Sequence, residues 1–329
     1  MQRILLAVMF TALAGAAQAA WHSGEEAIMG TAITVQLWHA DAQQADRAIE
    51  AVMAEMHRID DLMSTWKEGT ELSRVNSLAA TQPVTVSIEL FRLIEQALSF
   101  APLTRGAFDI SYASAGFLFD YRKRVRPDEQ SLSRALEVVD YRLVELDKKK
   151  HTVFFRRDGV RIDLGGIAKG HAAERGVKIL AGLGIEHAIV SAGGDTRVLG
   201  DRRGRPWYVG IRDPQGDRNA VFTRLPLVNE AISTSGDYER YFDEDGARYH
   251  HILNPSTGKS PSDVHSVSVI GPDGVWTDAL STGVFVLGVK EGLGLIETLK
   301  AYEAVIIDAE KKLHVSSGFA DQGPLSEPD

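Results

Sequence analysis

The chain has 329 residues, of which 44% are hydrophobic and 25% charged, as in a soluble globular protein with a sizeable core. Lys and Arg number 36 against 45 Asp and Glu, and this net charge of −9 argues against general binding to nucleic acid, whose phosphates favour a basic surface. No cysteine occurs, which excludes disulfides and thiolate metal sites, so any metal must be held by oxygen or imidazole, with Mg²⁺ and Ca²⁺ the first candidates.

Residues 1–19 form a predicted secretory signal peptide. The positive start at Gln2-Arg3 precedes an apolar run from Ile4 to Ala17, and Ala17-Gln18-Ala19 fits a small-x-small cleavage site. The run is too short to favour a membrane span, and no later segment looks apolar for long enough to be one. We expect a periplasmic protein that does not span the membrane, with residues 20–329 as a single domain and no cysteine for a lipid anchor.

The first half of the chain predicts strands and helices in mixed order. Ile28–Trp38 alternates in its second half like a half-buried strand. Asp41 is positioned to cap a long amphipathic helix that reaches Met63, and Ser87 to cap a second helix. A short helix around residues 131–138 and a hairpin with arms at 143–146 and 153–156 follow.

The stretch Asp163–Gly170 then joins a predicted strand at 160–162 to a helical pattern. Its adjacent glycines, Gly165 and Gly166, would let the backbone approach a ligand closely, and a helix N-terminus offers free N–H groups to anions. Taken alone, the two glycines favour a simple tight turn over a ligand site.

In the second half, strands are predicted at 188–191, 207–212, 221–228, 248–253 and 264–270. Thr277 is predicted to cap a helix that ends near Gly288, and a helix at 291–300 and a hairpin at 304–308 and 313–316 complete the chain. The mixed order predicts an α+β fold with largely antiparallel sheets and packed helices. A dinucleotide-binding Rossmann unit is disfavoured because the G-x-G-x-x-G spacing is missing.

Three polar clusters in this half are candidate sites. Ser233–Tyr238 supplies small hydroxyls that suit a phosphate or sugar, or else a capped turn. In an extended segment His250 and His251 point to opposite faces, so at most one of them enters a site. Asp278 and Thr282 lie one helical turn apart on one face, where two oxygens can share a hard cation or the acid can serve the helix dipole.

Together, these motifs resemble the ApbE-type FAD:protein FMN transferases, once called thiamine-biosynthesis lipoproteins. The resemblance covers nearly all of the chain after residue 28, and its specificity lies in the order and spacing of motifs that are individually weak. The motifs are Met29-Gly-Thr31, Ser64-Thr-Trp66, Glu71-Leu-Ser-Arg-Val-Asn76, Gly106-Ala-Phe-Asp109, Asp163-Leu-Gly-Gly-Ile-Ala-Lys-Gly170, Gly193-Gly-Asp195, Thr234-Ser-Gly-Asp-Tyr238, His251-Ile-Leu-Asn-Pro255 and Asp278-Ala-Leu-Ser-Thr282.

The resemblance implies Mg²⁺-dependent transfer of FMN from FAD to a Ser or Thr hydroxyl of an acceptor flavoprotein, through a phosphoester bond and with release of AMP. His251, as base, and Asp278 would be catalytic. The carbonyl of Gly166 would hold Mg²⁺ together with Asp278 and Thr282, with Ser281 close by. The residues expected to contact FAD are Met29, Trp66, Ala107, Phe108, Asp109, Asp163, Lys169 and Ile252, with Trp66 and Phe108 suited to stacking.

Two other functions remain open at this point. With water as the nucleophile, the same metal site would make the protein an FAD pyrophosphatase that yields FMN and AMP. A protein that binds or scavenges flavin without turnover is the third possibility, although binding alone would not require a metal. The family implies an acceptor among membrane redox subunits or flavin-carrying respiratory regulators.

Overall fold

A computed structural model describes residues 19–212 and 220–320. The predicted signal peptide lies outside these residues except for its last position. The helices are α1 Ala42–Met63, α2 Glu71–Leu78, α3 Ile88–Leu103, α4 Ala113–Gly116, α5 Glu129–Leu136, α6 Ala168–Gly182, α7 Gly274–Ile296 and α8 Ser317–Ala320.

An eight-stranded sheet organises the molecule, with the order β1-β2-β6-β7-β10-β13-β14-β15 and every neighbouring pair antiparallel. Its strands are β1 Ala20–Ile28, β2 Thr31–His39, β6 Ala188–Ala192, β7 Asp195–Leu199, β10 Ala231–Gly236, β13 Val264–Gly271, β14 Glu303–Asp308 and β15 Leu313–Val315. Three smaller antiparallel sheets lie within the described residues. One contains β3 Val84–Thr85, β4 Val144–Asp147 and β5 Thr152–Phe155. The second pairs β8 Trp207–Arg212 with β9 Val221–Leu227, and the third pairs β11 Tyr241–Glu244 with β12 Ala247–His250. The predicted α+β class is confirmed.

Each face of the large sheet is covered by a separate apolar core. On β14, Ala304 and Ile306 belong to the larger core, which includes α1, α3, α6 and α7. The alternate residues Val305 and Ile307 belong to a smaller core under the β8–β9 hairpin. Because successive side chains of a strand point to opposite faces, the sheet separates the two cores. The helices on the larger side bring the candidate residues together.

The predicted capping residues of α1 and α3 are confirmed. Asp41 Oδ1 accepts hydrogen bonds from the backbone N–H groups of Gln43 and Gln44 at the start of α1. Ser87 Oγ accepts one from Leu90 at the start of α3. These contacts satisfy N–H groups that have no partner within the helix, and so determine where each helix begins.

Several strand predictions need correction. The segment predicted as one strand at 28–38 is the second arm of a hairpin, because Met29 and Gly30 have φ of 55° and 72° and turn the chain between β1 and β2. Residues 160–162 form no strand, since the side chain of Asn76 takes both backbone hydrogen bonds of Ile162 at 2.8 Å. The strands β7, β10 and β11 were not predicted at all.

The long helix α7 also differs from expectation. It begins at Gly274, after Asp273 caps it, one turn earlier than the predicted cap at Thr277. Gly288, predicted to end the helix, has φ 76° and kinks it, and the second segment ends at Ile296.

By length and composition, α7 would also suffice to cross a membrane, with a mean hydropathy of 1.5, which the sequence analysis did not anticipate. In the structure this helix packs against β10, β13 and α6. Its first turns bury the polar side chains of Thr277, Asp278 and Ser281. These are the features of a core helix in a folded domain.

Candidate functional site

The loop from Asp163 to Gly170 is fixed by its own first residue. Asp163 Oδ2 accepts a hydrogen bond from the hydroxyl of Thr65 at 2.8 Å, and Oδ1 accepts one from the backbone N–H of Gly165 at 2.7 Å. The hydroxyl of Tyr112 lies 3.4 Å from the same Oδ1. The loop is therefore joined to the segment that carries Trp66, the residue after Thr65.

Trp66 lies on the surface beside this junction. Its side chain is 76% exposed, and its ring centroid lies 6.4 Å from that of Phe117. The guanidinium of Arg161 lies over the ring of Phe117, 5.1 Å from its centroid. A large exposed aromatic next to the loop offers a free ring face to a planar ligand.

Gly166 faces the start of α7. A Cβ placed on Gly166 would lie 3.2 Å from Thr282 Oγ1 and 3.2 Å from the ring of Phe108. Any side chain here would crowd Thr282, so glycine keeps this space open. The two residues that sequence resemblance assigns to one metal are thus adjacent in space although 116 positions apart.

The helices α6 and α7 cross where Gly170 contacts Gly274. A Cβ on Gly170 would lie only 2.0 Å from the carbonyl oxygen of Gly274 and 2.8 Å from Cβ of Asp278. This close approach lets the backbone N–H of Gly170 donate to Asp278 Oδ2 at 2.9 Å. The helix that follows the loop is thereby tied to the carboxylate of α7.

Two buried carboxylates and one lysine meet at this crossing. Asp195, 1% exposed at the start of β7, accepts an ion-paired hydrogen bond from Lys169 Nζ through Oδ2. Burial, and then the neighbouring charge of Asp195, raise the pKa of Asp278 above its ordinary range, against the opposing effect of Lys169. Burial would lower the pKa of Lys169, but the charges of Asp195 and Asp278 outweigh it and raise that pKa. The lysine is therefore fully protonated.

A group of hydroxyls continues the cluster towards β10. Ser235 Oγ lies 2.9 Å from Ser281 Oγ and 3.2 Å from Thr282 Oγ1. Ser281 also donates to the carbonyl of Asp278 at 2.9 Å. Ser235 thus fixes the orientation of the Thr282 hydroxyl.

The two histidines have separate environments. His250 is buried, its Nε2 lies 2.8 Å from the carbonyl oxygen of Pro261, and its ring meets Phe285 edge-on at 5.5 Å. His251 is half-buried, and its Nδ1 has no hydrogen-bond partner among residues 19–212 and 220–320. Burial, followed by the charge of Arg240, lowers the pKa of His251 to about 3, so its imidazole is neutral and able to accept a proton at neutral pH.

The other residues expected to contact FAD lie in the walls around this cluster. Ala107, Phe108, Asp109 and Ile252 are each less than 10% exposed, and Met29 is half-buried. The ring of Phe108 packs edge-on against Phe100 at 5.7 Å, so it presents little surface for stacking. Asp109 uses both carboxylate oxygens within the protein, on Ser111 and on the N–H of Tyr141.

The residues at the centre fit a hard cation in their chemistry. Gly166, Asp278 and Thr282 offer a carbonyl, a carboxylate and a hydroxyl, and the space that a Cβ on Gly166 would fill is left open beside Thr282. Within the described ranges, no group of three or more His, Cys, Asp or Glu side chains is arranged to hold a metal. A site of this composition would therefore leave positions for water or substrate oxygens, as Mg²⁺ sites commonly do. A separate cavity of about 370 Å³ over β1, β2 and β6 includes none of the candidate residues.

Three residues of this region had no role in the sequence analysis. Asp195 and Ser235 fall within motifs that were recognised, but their contacts depend on β7 and β10, which were not predicted as strands. Arg240 lies two residues after the Ser233–Tyr238 cluster, and nothing in its local sequence distinguishes it from a surface arginine. Only the pairing of the chain around β11 and β12 places it beside His251.

A buried acid with a raised pKa, a half-buried protonated lysine and a neutral histidine, gathered beside a backbone loop, are typical of an enzyme active site. The chain belongs to the ApbE family, whose model matches residues 29–306.

Named relatives and solved structures agree with this family. A protein of Treponema pallidum named FAD:protein FMN transferase is 32% identical, over 94% of this chain and 90% of its own length. The ApbE protein from Thermotoga maritima is 34% identical and superposes with a TM-score of 0.84, covering 92% of this chain and 98% of the other. The flavin transferase ApbE from Vibrio cholerae is 27% identical with a TM-score of 0.82, covering 92% and 99%.

Proposed function

We propose that this protein is an FAD:protein FMN transferase that depends on Mg²⁺. The names of its relatives support the transferase activity. One structural observation supports the dependence on Mg²⁺. The 163–170 loop contacts α7, so that Gly166 lies beside Thr282 and Gly170 beside Asp278.

In the proposed reaction, the oxygen of an acceptor Ser or Thr attacks the phosphorus on the FMN side of the FAD diphosphate. A phosphoester bond to the acceptor forms, the bond between the two phosphates breaks, and AMP leaves with the bridging oxygen. Negative charge grows on the phosphate oxygens, so catalysis rests mainly on electrostatic stabilisation and positioning. Bound Mg²⁺, held by Gly166, Asp278 and Thr282, would supply neutralisation of the diphosphate.

The chain's own residues have separable tasks in this reaction. His251, neutral at physiological pH, accepts the proton of the acceptor hydroxyl; with a pKa of about 3 it is a weak base, so it contributes less than a base whose pKa is near neutral. Lys169 adds a fixed positive charge, oriented by its ion pair with Asp195. Ser235 holds the Thr282 hydroxyl in place, and Trp66 offers its exposed ring to flavin or adenine.

Transfer of FMN is tested by incubating the protein with FAD, Mg²⁺ and an acceptor flavoprotein domain. Flavin fluorescence on the denatured acceptor reports transfer, while free FMN and AMP report hydrolysis. We expect labelling by the wild type, at least a hundredfold loss in Asp278→Asn, and complete loss with EDTA. Asp308→Asn is the matched control, because Asp308 is also buried but pairs with His314 where β14 meets the edge strand β15.

The outcomes separate the candidate functions. Free FMN without labelled acceptor would show a pyrophosphatase, in which water replaces the acceptor hydroxyl. FAD binding with neither product would show a flavin-binding protein. Labelling that persists both in Asp278→Asn and in EDTA would overturn the metal assignment while leaving the transferase in place.

We also propose that the enzyme acts in the periplasm on an acceptor such as a membrane redox subunit or a respiratory regulator. The pattern of residues 1–19 supports export. Cell fractionation with N-terminal sequencing tests this proposal: the expected product starts near Ala20 and is periplasmic, and an uncleaved cytoplasmic chain would contradict it.

A further inference from the structure

Arg240 is a cation of the proposed active site that has no acidic partner among the residues the structure describes. It is exposed and takes part in none of the ion pairs formed within the described ranges. Two arginines nearby are paired: Arg212 lies 3.9 Å from Glu239, and Arg248 lies 3.0 Å from Asp243. Lys169, in the proposed active site, is paired with Asp195. Arg240 thus retains an uncompensated charge where these other cations do not.

The backbone of Arg240 is hydrogen-bonded to that of His251, the proposed base. Its carbonyl accepts a hydrogen bond from the backbone N–H of His251 at 3.0 Å, next to the first pair of the β11–β12 ladder. Its side chain reaches the turn before β2, where Nη2 lies 3.5 Å from the position of a Cβ on Gly30. The guanidinium is close enough to His251 and Lys169 to act electrostatically on both. Arg240 is therefore bonded through its backbone to the proposed base and extends its guanidinium to the Met29-Gly30 turn.

We propose that Arg240 binds the diphosphate of FAD and supplies a positive charge to it in addition to that of the metal-site residues. This inference rests on the proposed function. The diphosphate of FAD carries two negative charges. A divalent ion bound by the Asp278 carboxylate has a net charge of only one to offset them, and Lys169 is already paired with Asp195. Arginine is suited to the remaining oxygens because its planar guanidinium can donate two parallel hydrogen bonds to a phosphate.

The proposal predicts that Arg240 discriminates between flavins by their phosphates. Riboflavin has the same ring system as FAD but no phosphate, so it should not require Arg240. Binding of each flavin is measured by fluorescence titration, with and without Mg²⁺, for the wild type, Arg240→Gln and Arg240→Lys. Arg224→Gln is the control, because Arg224 is an exposed arginine on β9 and its substitution changes the net charge by the same amount.

For Arg240→Gln we expect the Kd of FAD to rise about 10- to 100-fold, the range for a hydrogen bond to a charged group, while that of riboflavin changes less than about twofold. Arg240→Lys should recover part of the loss, since it keeps the charge without the paired donors. Arg224→Gln should bind both flavins like the wild type. Unchanged FAD binding in Arg240→Gln, or equal loss of FAD and riboflavin, would overturn the proposal.

The same titrations distinguish this inference from the function on which it rests. If the wild type binds FAD through Arg240 but labels no acceptor, the transferase assignment fails and the diphosphate contact stands. If the wild type labels the acceptor and Arg240→Gln does so with an unchanged KM for FAD, the contact fails and the transferase stands. If the wild type binds no FAD, both are wrong.

Discussion

Replacing Gly170 with alanine tests whether the close crossing of α6 and α7 builds the site. The added methyl would lie 2.0 Å from the carbonyl oxygen of Gly274, whereas ordinary contact begins at 3.4 Å. Neither atom is at the end of a flexible side chain, so the two helices must separate by about 1.4 Å, the difference between these values. Such a separation would also lengthen the hydrogen bond from Gly170 to Asp278.

The magnitude follows from three contributions. Overpacking costs about 1–3 kcal/mol, and loss of a hydrogen bond to a charged group about 1.5–3 kcal/mol. The higher helix propensity of alanine relative to glycine offsets about 1 kcal/mol of this destabilisation. The net loss in the free energy of unfolding is about 1.5–5 kcal/mol, which corresponds to a fall in Tm of roughly 3–20 °C.

Calorimetry or circular dichroism on the purified variants provides the measurement. The matched control is Gly182→Ala at the end of the same helix, where a Cβ would meet nothing within 4 Å. This substitution should leave stability unchanged or raise it by up to about 1 kcal/mol. If Gly170→Ala were as stable as Gly182→Ala, the two helices would not be constrained at this crossing and the reasoning would fail.

Three further predictions concern separate parts of the molecule. Hydrogen bonding by Arg58 lowers the pKa of Glu55 to about 2, so its stabilisation is complete above pH 4.5 and is lost as the pH falls towards 2. Thermal unfolding should therefore show Glu55→Gln about 1–2 kcal/mol less stable than the wild type at pH 7. The difference should shrink below pH 4.5 and nearly vanish by pH 2, and a difference independent of pH would contradict this. Ser235→Ala should weaken Mg²⁺ binding about tenfold in calorimetric titrations, because the Thr282 hydroxyl loses its orienting partner, and an unchanged Kd would refute that role. Trp66→Ala should raise the Kd for FAD about 3- to 10-fold in fluorescence titrations while Tm stays constant, since the side chain is 76% exposed; a large fall in Tm would instead indicate a structural role.

Sequence reasoning succeeded where short-range chemistry decides the structure. The start of α1 at Asp41 and that of α3 at Ser87 depend on a side chain that bonds N–H groups two or three residues away. The terminal hairpin of β14 and β15 and the pair β4 and β5 likewise join neighbouring segments. In each case the information lies within a few consecutive residues, so pattern and capping rules suffice.

The failures share a physical cause. Residues 160–162 have the composition of a strand, but a side chain 86 positions earlier in the sequence, that of Asn76, takes the backbone hydrogen bonds of Ile162. The strands β7 and β10 are short, and β10 contains small hydroxyl residues that also suit turns. Their strand geometry comes from pairing with neighbours in the large sheet.

The sequence alone determined the local helices, the α+β class and, through the order of its motifs, the resemblance to the ApbE family. It also marked Asp278 and Thr282 as a possible cation pair by their helical spacing, and the resemblance added Gly166 to that set. The tertiary structure decided that Gly166 lies beside Thr282 and that Lys169 pairs with Asp195. Such contacts join residues that are distant in the chain and form only when α6 and α7 pack on the same sheet, which no local pattern of residues encodes.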